Sequence, residues 1–99
     1  RREFHLEFSM LKTLENLIST IRQKKTSPDE KSYTSKLLRD KNLSVEKVKE
    51  EIAELIEAVE NNSNTVHEAA DVLYHLLVYF EGNGVRIEDI MLELDKRRK

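Results

Sequence analysis

The 99 residues carry 17 Lys and Arg against 19 Asp and Glu, a formal charge of −2, and no cysteine. Such a chain is one small domain that buries only roughly two-thirds of its unfolded surface as a monomer. It has no basic field to recruit nucleic acid or an anionic membrane surface, and it can form no disulfide, thiolate metal site or cysteine nucleophile. With two glycines, one proline and many Glu, Lys and Leu, the expected fold is all-α. A single domain is expected over residues 1–99, its core spanning about 6–95. The chain has no apolar run long enough to cross roughly 30 Å of hydrocarbon and no signal-peptide pattern before its first helix, so a soluble, cytoplasmic protein without a membrane partner is expected. Residue 1 is Arg and not Met, which fits a chain trimmed at its start.

In chain order, Leu6, Met10, Leu14, Leu17, Ile18 and Ile21 recur at spacings of three and four, which predicts an amphipathic helix over residues 4–21. Residues 23–31 lose the period and contain Pro28, so a loop is expected, although Ser27-Pro28-Asp29-Glu30 also matches a capping box. Ser32, Tyr33 and Thr34 read as a turn, with a short helix at 36–41. Ser44 is the expected N-cap of a long helix, with Leu43 and Val48 placed for a hydrophobic staple. At about 100° per residue, Val48, Ile52, Leu55 and Val59 share one arc expected to face the core, with Glu51 and Glu54 beside it and Glu46, Lys49, Glu50, Glu57 and Glu60 toward solvent. Residues 61–65 form a polar break. A second long helix is expected over 66–81, ending at Gly82-Asn83-Gly84. Its residues 69–80 are apolar on nearly every side, more than one four-helix chain can cover, so a homodimer completing the bundle is expected. Ile87, Ile90, Met91 and Leu94 predict a last helix, followed by a basic tail at 96–99.

Two acidic pairs stand out. Glu51 with Glu54, and Glu68 with Asp71, are each spaced i, i+3 and therefore lie on one face of their helix. Two antiparallel helices could bring the four together, and such a cluster is reasonable chiefly with a divalent cation to offset the repulsion. Oxygen-only ligands point to Mg²⁺ or Mn²⁺ in an open site shared with substrate phosphates, hence to a small-molecule nucleotide. Surface glutamate is common, and Thr65-x-x-Glu68 matches a capping box, so each acidic residue also has a plain reading. Asp71, between Ala70 and Val72 in the most apolar helix, is the costliest to leave unpaired. His75 lies one turn beyond it, and a structural role is favoured there over ligation.

The pattern Glu50-Glu51-x-x-Glu54 followed by Glu68-x-x-Asp71 resembles the all-α nucleoside triphosphate pyrophosphatase superfamily, which includes the MazG-type enzymes and dimeric dUTPases. Within it, Ser32-Tyr33-Thr34 with Leu37, Lys47, and the run EAADVLYHLLV over 68–78 look like the phosphoribosyl-ATP pyrophosphatase family of histidine biosynthesis. Lys49 stands where that family often has Gly, and Ile52 where Ala is common.

The resemblance covers about residues 10–95. It implies Mg²⁺-dependent hydrolysis of phosphoribosyl-ATP to phosphoribosyl-AMP and pyrophosphate. It puts the metal on Glu51, Glu54, Glu68 and Asp71. Catalytic roles fall to Glu50 and Glu51, with Glu50 orienting water or metal. Lys47 would face substrate phosphate, and Ser32, Tyr33 and Thr34 a substrate-binding turn. Two other readings stand beside it: a house-cleaning pyrophosphatase acting on non-standard triphosphates, and a non-catalytic helical dimerisation module.

Overall fold

A computed structural model describes residues 2–98, with side chains from residue 11 onward. Among them are five helices and no strand: α1 (Arg2–Thr26), α2 (Tyr33–Arg39), α3 (Lys41–Asn61), α4 (Thr65–Gly82) and α5 (Ile87–Arg97). The expected all-α bundle is therefore observed.

The first helix outlasts its apolar period. Gln23, Lys24 and Lys25 are good helix formers, so the loop expected at 23 begins only after Thr26, just before Pro28, where the preceding residue is pushed out of helical geometry. The Thr26 hydroxyl reaches back to the carbonyls of Gln23 and Arg22, at 3.1 and 3.4 Å. Ile21 is buried, with Leu14, Leu17 and Ile18 against the core, as their spacing predicts. Leu6 and Met10 lie outside the described side chains.

Ser27 starts no helix. Instead the Asp29 amide donates to Ser35 Oγ and the Asp29 carboxylate accepts from the Lys31 amide, both at 3.0 Å. Ser32 is the N-cap of α2, its hydroxyl accepting from the Ser35 amide at 3.2 Å, so the expected turn and short helix are one helix. Asp40 then serves two helices. Its amide closes α2 on the Lys36 carbonyl, and its carboxylate caps α3 through the Leu43 amide at 3.0 Å. This corrects the assignment of Ser44 as N-cap: Ser44 lies inside the first turn, buried, and the Leu43–Val48 staple has no place.

Residues 62–64 reverse the chain. Asn62 and Asn64 both take left-handed φ of 54°, which asparagine tolerates better than most residues. Thr65 is the first helical residue and its hydroxyl turns to the Ala58 carbonyl, so the Thr65–Glu68 capping box does not form and the Glu68 side chain is left for the interior of the hairpin. At the other end of α4, Gly84 supplies the left-handed residue (φ 72°).

Three connecting residues make α3 and α4 antiparallel neighbours, and theirs is the most extensive helix pairing. The stripe of α3 that turns inward is Ser44, Glu51 and Ala58. The expected core arc is thus rotated: Ile52 and Val59 are 39% and 58% exposed, joined by Ile56 at 54%. Small and polar residues let α4 approach closely, while the bulky aliphatics are left on an outer flank. The core proper is Ile21, Leu37, Leu77 and Val78 from α1, α2 and α4, each worth about 1.5–3 kcal/mol of burial. No α5 residue is buried. Arg22 ties α5 down, donating to both Glu88 oxygens (2.8 and 2.7 Å) and to the buried Glu81 (3.0 Å).

Candidate active site

The inward stripe of α3 carries a carboxylate at its centre. Glu51 is 7% exposed and its Oε1 has no hydrogen-bond partner, and the same holds for Glu68 Oε1 on α4. Leaving a buried carboxylate oxygen unanswered is costly, and two of them lie in one helix hairpin, where residues of both helices could hold a cation.

Around each lies a triad. Ligand atoms of Glu50, Glu51 and Glu54 fall within 4.8 Å of one another, as do those of His67, Glu68 and Asp71. The i, i+3 spacing therefore gathers each pair, one group per helix. Glu54 spans between them: burial, then the charges of Glu51 and Glu68, push its carboxyl above the ordinary range. The carboxylate oxygens are hard donors suited to Mg²⁺ or Mn²⁺, and His67 adds one borderline nitrogen to the α4 group.

Asp71 differs from its expected setting. Its side chain is 40% exposed and sits 3.4 Å from His67 Nε2, so the costly burial falls on Glu51 and on the Oε1 atom of Glu68 instead. His67 was not singled out from the sequence, although its i, i+4 spacing to Asp71 is a signal that could have found it. His75 is buried with Nδ1 unpartnered, and burial keeps its pKa below the usual value.

Lys47 enters from the turn before the triad and donates to Glu50 Oε1 at 3.2 Å. Ser32 is occupied in capping. Thr34 Oγ1 shares a hydrogen bond with the Tyr74 hydroxyl. Tyr33 stacks on Tyr74, ring centroids 6.5 Å apart, and meets His75 edge-on at 5.9 Å. Burial raises the Tyr33 pKa and Lys47 opposes this, which places the phenol beside the lysine and the acidic triad. Of the expected substrate turn, Tyr33 is thus the member left facing the site. Lys49 is on the far side, paired with Glu46 at 3.7 Å. Glu57 and Glu60 are exposed.

An all-helical bundle whose central hairpin carries one acidic group on each of two paired helices, with a lysine beside one of them, has the form of the all-α nucleoside triphosphate pyrophosphatases. The family model described as phosphoribosyl-ATP pyrophosphohydrolase matches residues 14–98, and the chain belongs to that family. It is 40% identical over 94 residues to the phosphoribosyl-ATP pyrophosphatase of Methanoregula boonei, covering 90% of each chain. It is 41% identical over 88 residues to that of Methylobacterium nodulans, covering 86% of this chain and 82% of that one. The histidine biosynthesis bifunctional protein hisIE, chloroplastic, of Arabidopsis thaliana is 40% identical over 97 residues, 93% of this chain but 34% of the plant protein. The chain therefore spans about a third of that bifunctional relative.

Proposed function

We propose that this protein hydrolyses phosphoribosyl-ATP to phosphoribosyl-AMP and pyrophosphate, the second step of histidine biosynthesis, and that it requires Mg²⁺ or Mn²⁺. Water forms a new bond to the α-phosphorus and the bond from that atom to the oxygen bridging to the β-phosphorus breaks. The observation that carries the reading is the pair of unanswered, buried Oε1 atoms of Glu51 and Glu68 within a hairpin of this family. Glu51, Glu54, Glu68 and Asp71 would hold the cation, which when bound neutralises phosphate charge and acidifies water. Glu50, within the α3 triad, would orient the attacking water, and Lys47, which donates to it, would meet phosphate oxygens.

The active form in this reading is a homodimer working in the cytoplasm. Support for the dimer comes from Ile52, Ile56 and Val59, which share one face of α3 and are all 39% or more exposed, with Leu73 on α4 exposed as well. No helix among the described residues is long and apolar enough to cross a membrane.

The test is pyrophosphate release from phosphoribosyl-ATP, dUTP and non-standard purine triphosphates, with Mg²⁺ and with chelator. Metal-dependent turnover highest on phosphoribosyl-ATP is expected. Preference for another triphosphate would transfer the assignment to a house-cleaning enzyme, and no turnover on any substrate would leave a dimerisation module.

A further inference from the structure

Tyr33 keeps 46% of its surface exposed, at the first residue of α2. A single exposed tyrosine is unremarkable in itself, but this ring is fixed in place. It lies 17° from parallel with Tyr74 and nearly perpendicular, at 87°, to the buried His75. Tyr74 in turn is held at both ends, its hydroxyl bonded to Thr34 Oγ1 and its ring 5.0 Å from His75. Tyr33 and Tyr74 thus lie near-parallel with His75 set edge-on to both, and Tyr33 is the exposed ring of the three.

Lys47, Glu51 and Glu50 all act on the Tyr33 phenol, and Glu51 and Asp71 act on His75 behind it. Release of pyrophosphate requires attack at the α-phosphorus, which is one ribose away from the base. Carboxylates that serve that phosphorus therefore need the base within one nucleoside length of them, and Tyr33 is the exposed ring that the charges of Glu50 and Glu51 reach.

We infer that the outward face of Tyr33 is the platform on which the purine base of the substrate stacks, and that Tyr74, braced by Thr34, is the positioning residue that holds this platform in place. The inference rests on the nucleotide reading above, and it adds the base subsite to it. Stacking uses the ring face and not the hydroxyl, and it accepts any purine.

The test compares Tyr33→Phe, Tyr33→Ala and Tyr74→Phe in steady-state turnover of phosphoribosyl-ATP. Tyr33→Phe should leave KM within about threefold of wild type, whereas Tyr33→Ala should raise it roughly tenfold or more with kcat little altered, the loss expected when one base–aromatic stack is removed. Tyr74→Phe keeps its ring but loses the Thr34 bond, and should fall between them in KM. Equal losses in Tyr33→Phe and Tyr33→Ala would assign the effect to the hydroxyl and overturn the platform, as would an unchanged KM in Tyr33→Ala. A binding arm separates this outcome from failure of the substrate assignment. Affinity for ATP with Mg²⁺ should fall in Tyr33→Ala while affinity for inorganic tripolyphosphate stays constant, whether or not phosphoribosyl-ATP is turned over. ATP affinity equal in wild type and Tyr33→Ala would overturn the platform even in an enzyme fully active on phosphoribosyl-ATP.

Discussion

Lys47 and Glu50, one turn apart on α3, hold each other at the rim of the candidate site, Nζ to Oε1 at 3.2 Å. A substrate phosphate that draws the lysine away frees the carboxylate in the same movement. Lys47→Met should therefore raise KM by about tenfold or more, the scale of one hydrogen bond to a charged group, while Glu50→Gln should lower kcat. Thermal unfolding of both variants should stay within about 3 °C of wild type, because an exposed i, i+3 pair contributes little to stability. Steady-state kinetics and calorimetry check the two halves separately.

Glu51→Gln and Glu68→Gln should each reduce pyrophosphate release by roughly a hundredfold or more, if these carboxylates hold the cation. Neither should lower the melting temperature of the metal-free protein, since each change relieves repulsion between carboxylates. Mg²⁺ should raise the melting temperature of wild type by mass action, by about 2.7 kcal/mol of stability at a hundredfold excess over Kd, and this rise should vanish in Glu51→Gln. Glu57→Gln, on the solvent side, should match wild type in both assays.

A pH dependence follows from Arg22. Its hydrogen bonds pull the Glu88 pKa down from 4.5 to about 2. A depressed carboxylate contributes stability that is complete above its unfolded pKa and lost as pH falls through the folded one. The difference in melting temperature between wild type and Glu88→Gln should thus be constant at neutral pH, shrink between about pH 4.5 and 2, and be reduced by salt. Arg22→Ala should cost more than Glu88→Gln, about 1–2 kcal/mol in denaturant unfolding, because it also strips the buried Glu81 of its 3.0 Å partner and, among the described residues, leaves it Lys25 at 3.7 Å.

The outer flank of the hairpin gives a test of assembly. Ile56→Asp combined with Val59→Asp alters two side chains that are 54% and 58% exposed in the single chain. Helical content should persist while sedimentation shifts from dimer to monomer at micromolar concentration. Leu76→Asp, half-buried on α4, should harm folding as well. A wild-type protein that sediments as a folded monomer at that concentration would remove the dimer.

How much of this was legible depends on the range of the interaction that decides each feature. Helix spacing is a local property, so α1, α5, the i, i+3 acidic pairs and the buried Ile21 could be read from spacing alone, whereas α4 was read as apolar on nearly every side and its buried Leu77 and Val78 were not told apart from their neighbours. Caps were less legible where two residues compete: Asp40 closes α2 and opens α3 at once, which displaces Ser44 inward, and no local pattern ranks the two. The phase of α3 was beyond the sequence because hydrophobicity marks which residues avoid water, not which neighbour covers them. Ile52 and Val59 were expected in the core, yet α4 packs over Ser44, Glu51 and Ala58, where small volume permits close approach. The same rotation buries Glu51, and the stacking of Tyr33, Tyr74 and His75 likewise joins residues about forty positions apart. The sequence alone therefore determined which acidic residues share a helix face, through spacing along single helices; only the tertiary structure decided which of their oxygens are buried, because that depends on how two helices meet.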